Sequence, residues 1–127
     1  MKHKILIVDD EVEIVNLLRK FFIKKGFEVV TALGGDEAIG IFGSGNKIDL
    51  VILDFKMPGM KGIDILKEMS GLGIKTPVIF LTGSIGLTKY LKDLRSVGFD
   101  RRDLLTKPID LDVLLEKVKG KLSQKPE

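Results

Sequence analysis

Short runs of consecutive apolar residues alternate, from one end of the chain to the other, with stretches whose apolar residues recur every three or four positions. Ile5-Leu6-Ile7-Val8 is the first run, and three of its four residues are β-branched, which suits a strand buried on both faces. From Glu11 to Lys25 the apolar residues Ile14, Val15, Leu17, Leu18, Phe21 and Phe22 fall at helical spacing. Acids open this segment and lysines close it, in keeping with the helix dipole, and Gly26 ends it. Phe27 to Ala32 reads as a second strand, Asp36 to Phe42 as a short helix, and Ser44-Gly45-Asn46 as a turn. Asp49 to Asp54 reads as a third buried strand, which finishes on a carboxylate. A loop rich in Pro and Gly follows it through Gly62, and then a helix through Met69. Pro77 to Thr82 is a fourth strand, with proline at the position where a missing donor does least harm. The pattern closes with a helix between about Leu87 and Val97, a short strand at Leu104-Leu105-Thr106 and a helix from Leu111 to about Leu122.

Strands alternating with amphipathic helices in this way build a doubly wound α/β domain, a parallel five-stranded sheet with helices on both faces. The 127 residues, 44% of them hydrophobic, are enough for one such core. One domain is expected over residues 1–122, with residues 123–127 as a frayed tail. The absence of cysteine excludes disulfides and thiolate metal sites and fits a reducing, cytoplasmic compartment. No apolar run approaches the length of a membrane span, so no membrane association is expected. The net charge of +3 arises from 21 basic residues scattered among 18 acidic ones. That is a mixed, solvated surface rather than a basic stripe, and direct nucleic-acid binding is not expected.

Open parallel sheets bind ligands beyond the carboxyl ends of their strands. The residues there are Asp9 and Asp10 after the first strand, Asp54 at the end of the third, Thr82 at the end of the fourth and Lys107 after the fifth. Taken singly each has an ordinary explanation: an Asp after a strand commonly caps a helix, Thr is a common strand residue, and the glycines from Gly59 to Gly62 make turns. Their meeting at one edge gives them a joint chemistry. Carboxylates suit a hard divalent cation such as Mg²⁺ or Mn²⁺, which would relieve the repulsion among them. A carboxylate can then act as an oxygen nucleophile towards phosphorus, while Lys107 and Thr82 bind phosphoryl oxygens. His3, the one histidine, lies near the chain end and is read as incidental.

Asp9-Asp10, Asp54 with Lys56-Met57-Pro58-Gly59-Met60-Lys61-Gly62, Thr82 and Lys107-Pro108 together resemble the receiver domains of bacterial two-component response regulators. The resemblance covers essentially the whole chain. It implies the (βα)5 flavodoxin-like fold with strand order 2-1-3-4-5, and Asp54 as the phosphoacceptor. It also implies that Asp10, Asp54 and the Lys56 backbone carbonyl bind the metal directly, that Asp9 binds it through water, and that the Lys107–Pro108 bond is cis. The phosphodonor implied is a sensor histidine kinase or a phosphotransfer protein, docking near the first helix around Ile14 and Asn16, with a downstream protein partner that the sequence does not identify. Such a chain is a regulatory phosphoacceptor rather than a turnover enzyme.

Two features depart from the family pattern. About two residues are inserted before the last strand, and Leu104 stands where relatives carry an aromatic ring that reports phosphorylation; Tyr90 and Phe99 are out of register. Lys56 and Ser84 occupy positions that in relatives flank the site and tune acyl-phosphate lifetime, and Gly83 is the small residue that leaves the site open. The departures motivate a competing expectation, a receiver-like interaction module that signals without phosphorylation. An aspartate-nucleophile phosphatase is a third. It fits less well, because such enzymes place the nucleophile after the first strand with a second acid two residues on, and they carry a cap that this chain has no segment to build.

Overall fold

The computed structural model describes residues 2–55, 62–83, 95 and 101–123. In chain order it contains β1 (Lys4–Val8), α1 (Val12–Lys24), β2 (Glu28–Ala32), α2 (Gly35–Gly43), β3 (Leu50–Asp54), α3 (Gly62–Gly71) and β4 (Val78–Thr82). A 3₁₀ turn at Arg101–Asp103 then leads into β5 (Leu104–Thr106), and α4 (Leu111–Ser123) follows. The five strands form one sheet in the order β2-β1-β3-β4-β5, and every pairing is parallel.

Period-two alternation sorts the strand side chains between two layers. Leu6, Val8, Val51, Leu53 and Phe80 pack with Ala38 of α2 and Ile63, Leu66 and Met69 of α3. Ile5, Ile7, Leu50, Ile52, Ile79 and Leu81 pack on the opposite face with Leu18 and Phe22 of α1 and Leu114 and Val118 of α4. Because both faces are covered, β3 and β4 are buried along their whole length, and this is why their sequences read as unbroken apolar runs.

Four expected strand starts move by one residue: β1 opens at Lys4 rather than Ile5, and β2, β3 and β4 each start one residue later than expected. Asp49 lies outside β3 because its carboxylate accepts the Lys4 N–H at 2.7 Å while its own N–H donates to the Lys4 carbonyl at 2.8 Å. It therefore ties the start of β1 to the chain entering β3. Phe27 belongs to the turn behind α1. Gly26 there takes the left-handed φ of 96°, and the Phe27 N–H closes on the Phe22 carbonyl. Pro77 precedes β4, yet its carbonyl still accepts the Val51 N–H. Ser123, expected to begin the frayed tail, is the last residue of α4, and its hydroxyl donates to the Gly120 carbonyl. Residues 124–127, and the helix expected between Leu87 and Val97 apart from Arg95, lie outside the described residues.

The 3₁₀ turn at Arg101–Asp103 precedes β5, and α4 holds it at two points. Lys117 Nζ donates to the Arg102 carbonyl at 2.6 Å, and Lys121 Nζ pairs with Asp103 at 2.7 Å. In register, Leu104 lies opposite Phe80 and packs, partly buried, on the layer formed with α2 and α3.

Candidate functional site

Parallel pairing brings the carboxyl ends of β1, β3, β4 and β5 to one edge of the sheet. Asp54 is the last residue of β3 and Thr82 the last of β4, while Asp9 directly follows β1 and Lys107 directly follows β5. Asp9, Asp54 and Thr82 are 1%, 4% and 1% exposed, and they are the buried polar side chains among the described residues. Burial of this kind disfavours the charged carboxylate, so the site must supply compensating charge or hydrogen bonds.

Main-chain bonds hold the frame. The Asp9 N–H donates to the Ala32 carbonyl, the Phe55 N–H to the Leu81 carbonyl, and the Lys107 N–H to the Thr82 carbonyl at 2.8 Å. The last of these fixes the start of the Lys107 side chain beside β4, and the peptide bond from Lys107 to Pro108 is cis, as the resemblance implies. Lys107 Nζ reaches back across the edge to three carboxylates: Glu11 Oε1 at 3.0 Å, Asp9 Oδ2 at 3.2 Å and Asp54 Oδ1 at 3.7 Å.

Three carboxylates face one ammonium, and Asp9 and Lys107 both have pKa values above their ordinary ones, for different reasons. Burial pushes the Asp9 carboxyl above its ordinary value, against the pull of the Glu11 N–H and of Lys107. Partial burial works against the Lys107 ammonium, but the attraction of Glu11, Asp54 and Asp9 outweighs it and holds the lysine pKa up.

Of the residues expected to bind metal, Asp9 and Asp54 come together, with oxygens within 4.8 Å of one another, and the third member of that group is Glu11. Asp10 is exposed and lies outside the group, and Lys56 lies outside the described residues, as do Ser84, Tyr90 and Phe99. The donor set fits a hard divalent cation: it is all oxygen, largely buried and over-supplied with negative charge, and a protein cation already sits against it. The sequence pattern makes Glu11 a first-turn acid complementing the helix dipole. It is instead the N-cap residue of α1, and its side chain makes no capping hydrogen bond.

Comparison with known proteins gives one consistent result. The family model described as the response regulator receiver domain matches residues 5–119. Sporulation initiation phosphotransferase F of Bacillus subtilis is 37% identical over 127 residues, covering 98% of each chain. The regulatory protein AtoC of Escherichia coli is 38% identical over 112 residues, which make up 88% of this chain but only 23% of AtoC. Among solved structures, the response regulator TrrA of Thermotoga maritima, in complex with Mg(2+)-BeF, superposes with a TM-score of 0.81 at 37% identity, covering 96% of this chain and 100% of TrrA. Chemotaxis protein CheY4 of Vibrio cholerae gives 0.84 at 28% identity, with 96% and 100% coverage.

Proposed function

The chain belongs to the receiver domain family of two-component response regulators, and from that premise we propose that it is a phosphorylation-dependent switch whose phosphoacceptor is Asp54. The observation that carries this reading is the buried Asp54 carboxylate at the end of β3, within 3.7 Å of the Lys107 ammonium and grouped with Asp9. A carboxylate oxygen of Asp54 forms the new bond to phosphorus as the bond from phosphorus to the donor breaks. The bonding pair of the broken bond leaves with the donor, a phosphohistidine of a sensor kinase or phosphotransfer protein. Lys107 would follow the charge from the carboxylate to the phosphoryl oxygens, and Thr82 would donate a hydrogen bond to one of them. Asp9, Asp54, Asp10 and the Lys56 carbonyl would hold Mg²⁺ or Mn²⁺, and that ion supplies neutralisation of the charge that accumulates at the site.

Leu104 favours a second reading of the output. With no ring at that position, an aromatic side chain there cannot report phosphorylation, and a module that signals by contact alone would keep the same fold. The two readings separate in one experiment. The whole chain is incubated with acetyl phosphate, with Mg²⁺ or with chelator, and intact mass is recorded beside Asp54→Asn. One added phosphoryl group that requires both the metal and Asp54 supports the switch. Failure of acetyl phosphate and of a phosphohistidine donor to modify the wild type would favour the contact module.

A further inference from the structure

Lys107 lies closer to Glu11 than to the residue it would serve. Its Nζ is 3.0 Å from Glu11 Oε1 and 3.7 Å from Asp54 Oδ1. Building on the phosphoacceptor reading above, we propose that Glu11 is a positioning residue that competes with the phosphoryl site for the Lys107 ammonium and so restrains phosphorylation.

Glu11 is placed for this by its main chain rather than by its side chain. Its N–H donates to Asp9 Oδ1 at 2.9 Å, and its carbonyl accepts the Val15 N–H at the start of α1. Both ends of the residue are thereby fixed beside Asp9. The capping explanation of an acid at this position fails, because the side chain caps nothing. A short Asp, Asn, Ser or Thr would serve better there, since the longer Glu side chain overshoots the first-turn N–H groups. Glu11 instead spans to Lys107, 96 residues away in sequence.

Glu11 and Asp9 differ in the strength of their hold. Asp9 is buried, whereas the Glu11 side chain is 58% exposed and the Lys107 side chain 18% exposed. An ion pair with one exposed partner is weak and is screened by salt. Glu11 can therefore release the ammonium when a phosphoryl group arrives, at a modest energetic cost that slows the reaction. The fixed negative charge near Asp54 adds repulsion towards an anionic donor, in the same direction.

The test compares wild type, Glu11→Gln and Glu13→Gln as full chains. Glu13→Gln makes the same charge change one position into the helix, on an exposed residue outside the cluster. Phosphoryl uptake from acetyl phosphate with Mg²⁺ is followed by intact mass at low and high NaCl. Glu11→Gln should react about two- to fivefold faster than wild type at low salt, the range an exposed ion pair supports, and this advantage should shrink at about 0.5 M NaCl. Glu13→Gln should stay near the wild-type rate. Alongside, a double-mutant cycle of Glu11→Gln and Lys107→Ala in urea with chelator should show coupling of similar size in the unfolding equilibrium constant. Equal rates for wild type and Glu11→Gln, an equal acceleration in Glu13→Gln, or a cycle without coupling would each overturn the proposal and leave the phosphoacceptor reading standing. No uptake by the wild type from acetyl phosphate or a phosphohistidine donor would overturn both.

Discussion

Gly62, the first residue of α3, lies against the strand that carries Asp54. A Cβ built at this position would stand 2.7 Å from Phe80 Cε1, 2.8 Å from the Asp54 carbonyl oxygen and 2.9 Å from the Phe55 Cα. Two of these atoms belong to the main chain and cannot rotate away. The third belongs to a fully buried ring packed edge-to-face on Phe55 at 5.6 Å. The Gly62 N–H also donates to the Phe55 carbonyl at 2.8 Å, so the helix cannot slide off without losing a bond. Gly62→Ala must therefore push α3 away from β3. Overpacking of this kind costs about 1–3 kcal/mol, against which the gain in helix propensity is less than about 1 kcal/mol at a first helical position. A net loss of about 1.5 kcal/mol corresponds to a fall in Tm of roughly 4 to 9 °C for a chain of this size. Gly120 provides the internal reference: it is exposed within α4 and a Cβ there meets nothing within 4 Å. Gly120→Ala should stabilise by about 0.5–1 kcal/mol through helix propensity alone. Urea denaturation of the two variants beside wild type measures both effects, and a Gly62→Ala protein within about 0.5 kcal/mol of wild type, or more stable, would refute the packing argument.

Phe22 is fully buried and makes edge-to-face contacts with Phe21 at 5.1 Å and Phe27 at 5.6 Å, so Phe22→Ala should cost about 3–5 kcal/mol in urea denaturation. A loss below about 1.5 kcal/mol would show that the layer between α1 and the sheet collapses into the gap. Burial raises the Asp9 pKa above its ordinary 3.8, so Asp9 favours folding below the unfolded pKa and loses that contribution as pH rises through the folded one. In chelator, Asp9→Asn should accordingly be more stable than wild type at pH 7, and the gap should close below about pH 4. Thermal denaturation across that range checks the sign, and a less stable Asp9→Asn at pH 7 would reverse it.

The sheet was legible in the sequence because burial on both faces turns β1, β3 and β4 into continuous apolar runs, while the helices keep their own period. Asp9, Asp54, Thr82 and Lys107 were legible as a group because each stands at or next to the end of such a run, and parallel pairing brings those ends together. What sequence could not supply were partnerships across long separations. Asp49 looks like the first residue of a strand until its bond to Lys4, 45 positions away, is seen. Glu11 looks like a first-turn acid until Lys107 is found beside it. Gly62 looks like one of several turn glycines, and only the approach of Phe80 and the Asp54 carbonyl gives it a steric reason. The 3₁₀ turn before β5 could not be read from its own residues, because Lys117 and Lys121, which hold it, belong to a helix that comes later in the chain.

Chemical trapping locates the atom that receives the phosphoryl group. After reaction with acetyl phosphate and Mg²⁺, borohydride reduces an aspartyl phosphate to homoserine, and peptide mass spectrometry locates the converted residue. With Asp54 as the phosphoacceptor, homoserine is expected at position 54, with no conversion at Asp9 or Asp10. Conversion at another aspartate, or a phosphoryl group that resists borohydride on the wild-type chain, would contradict that assignment.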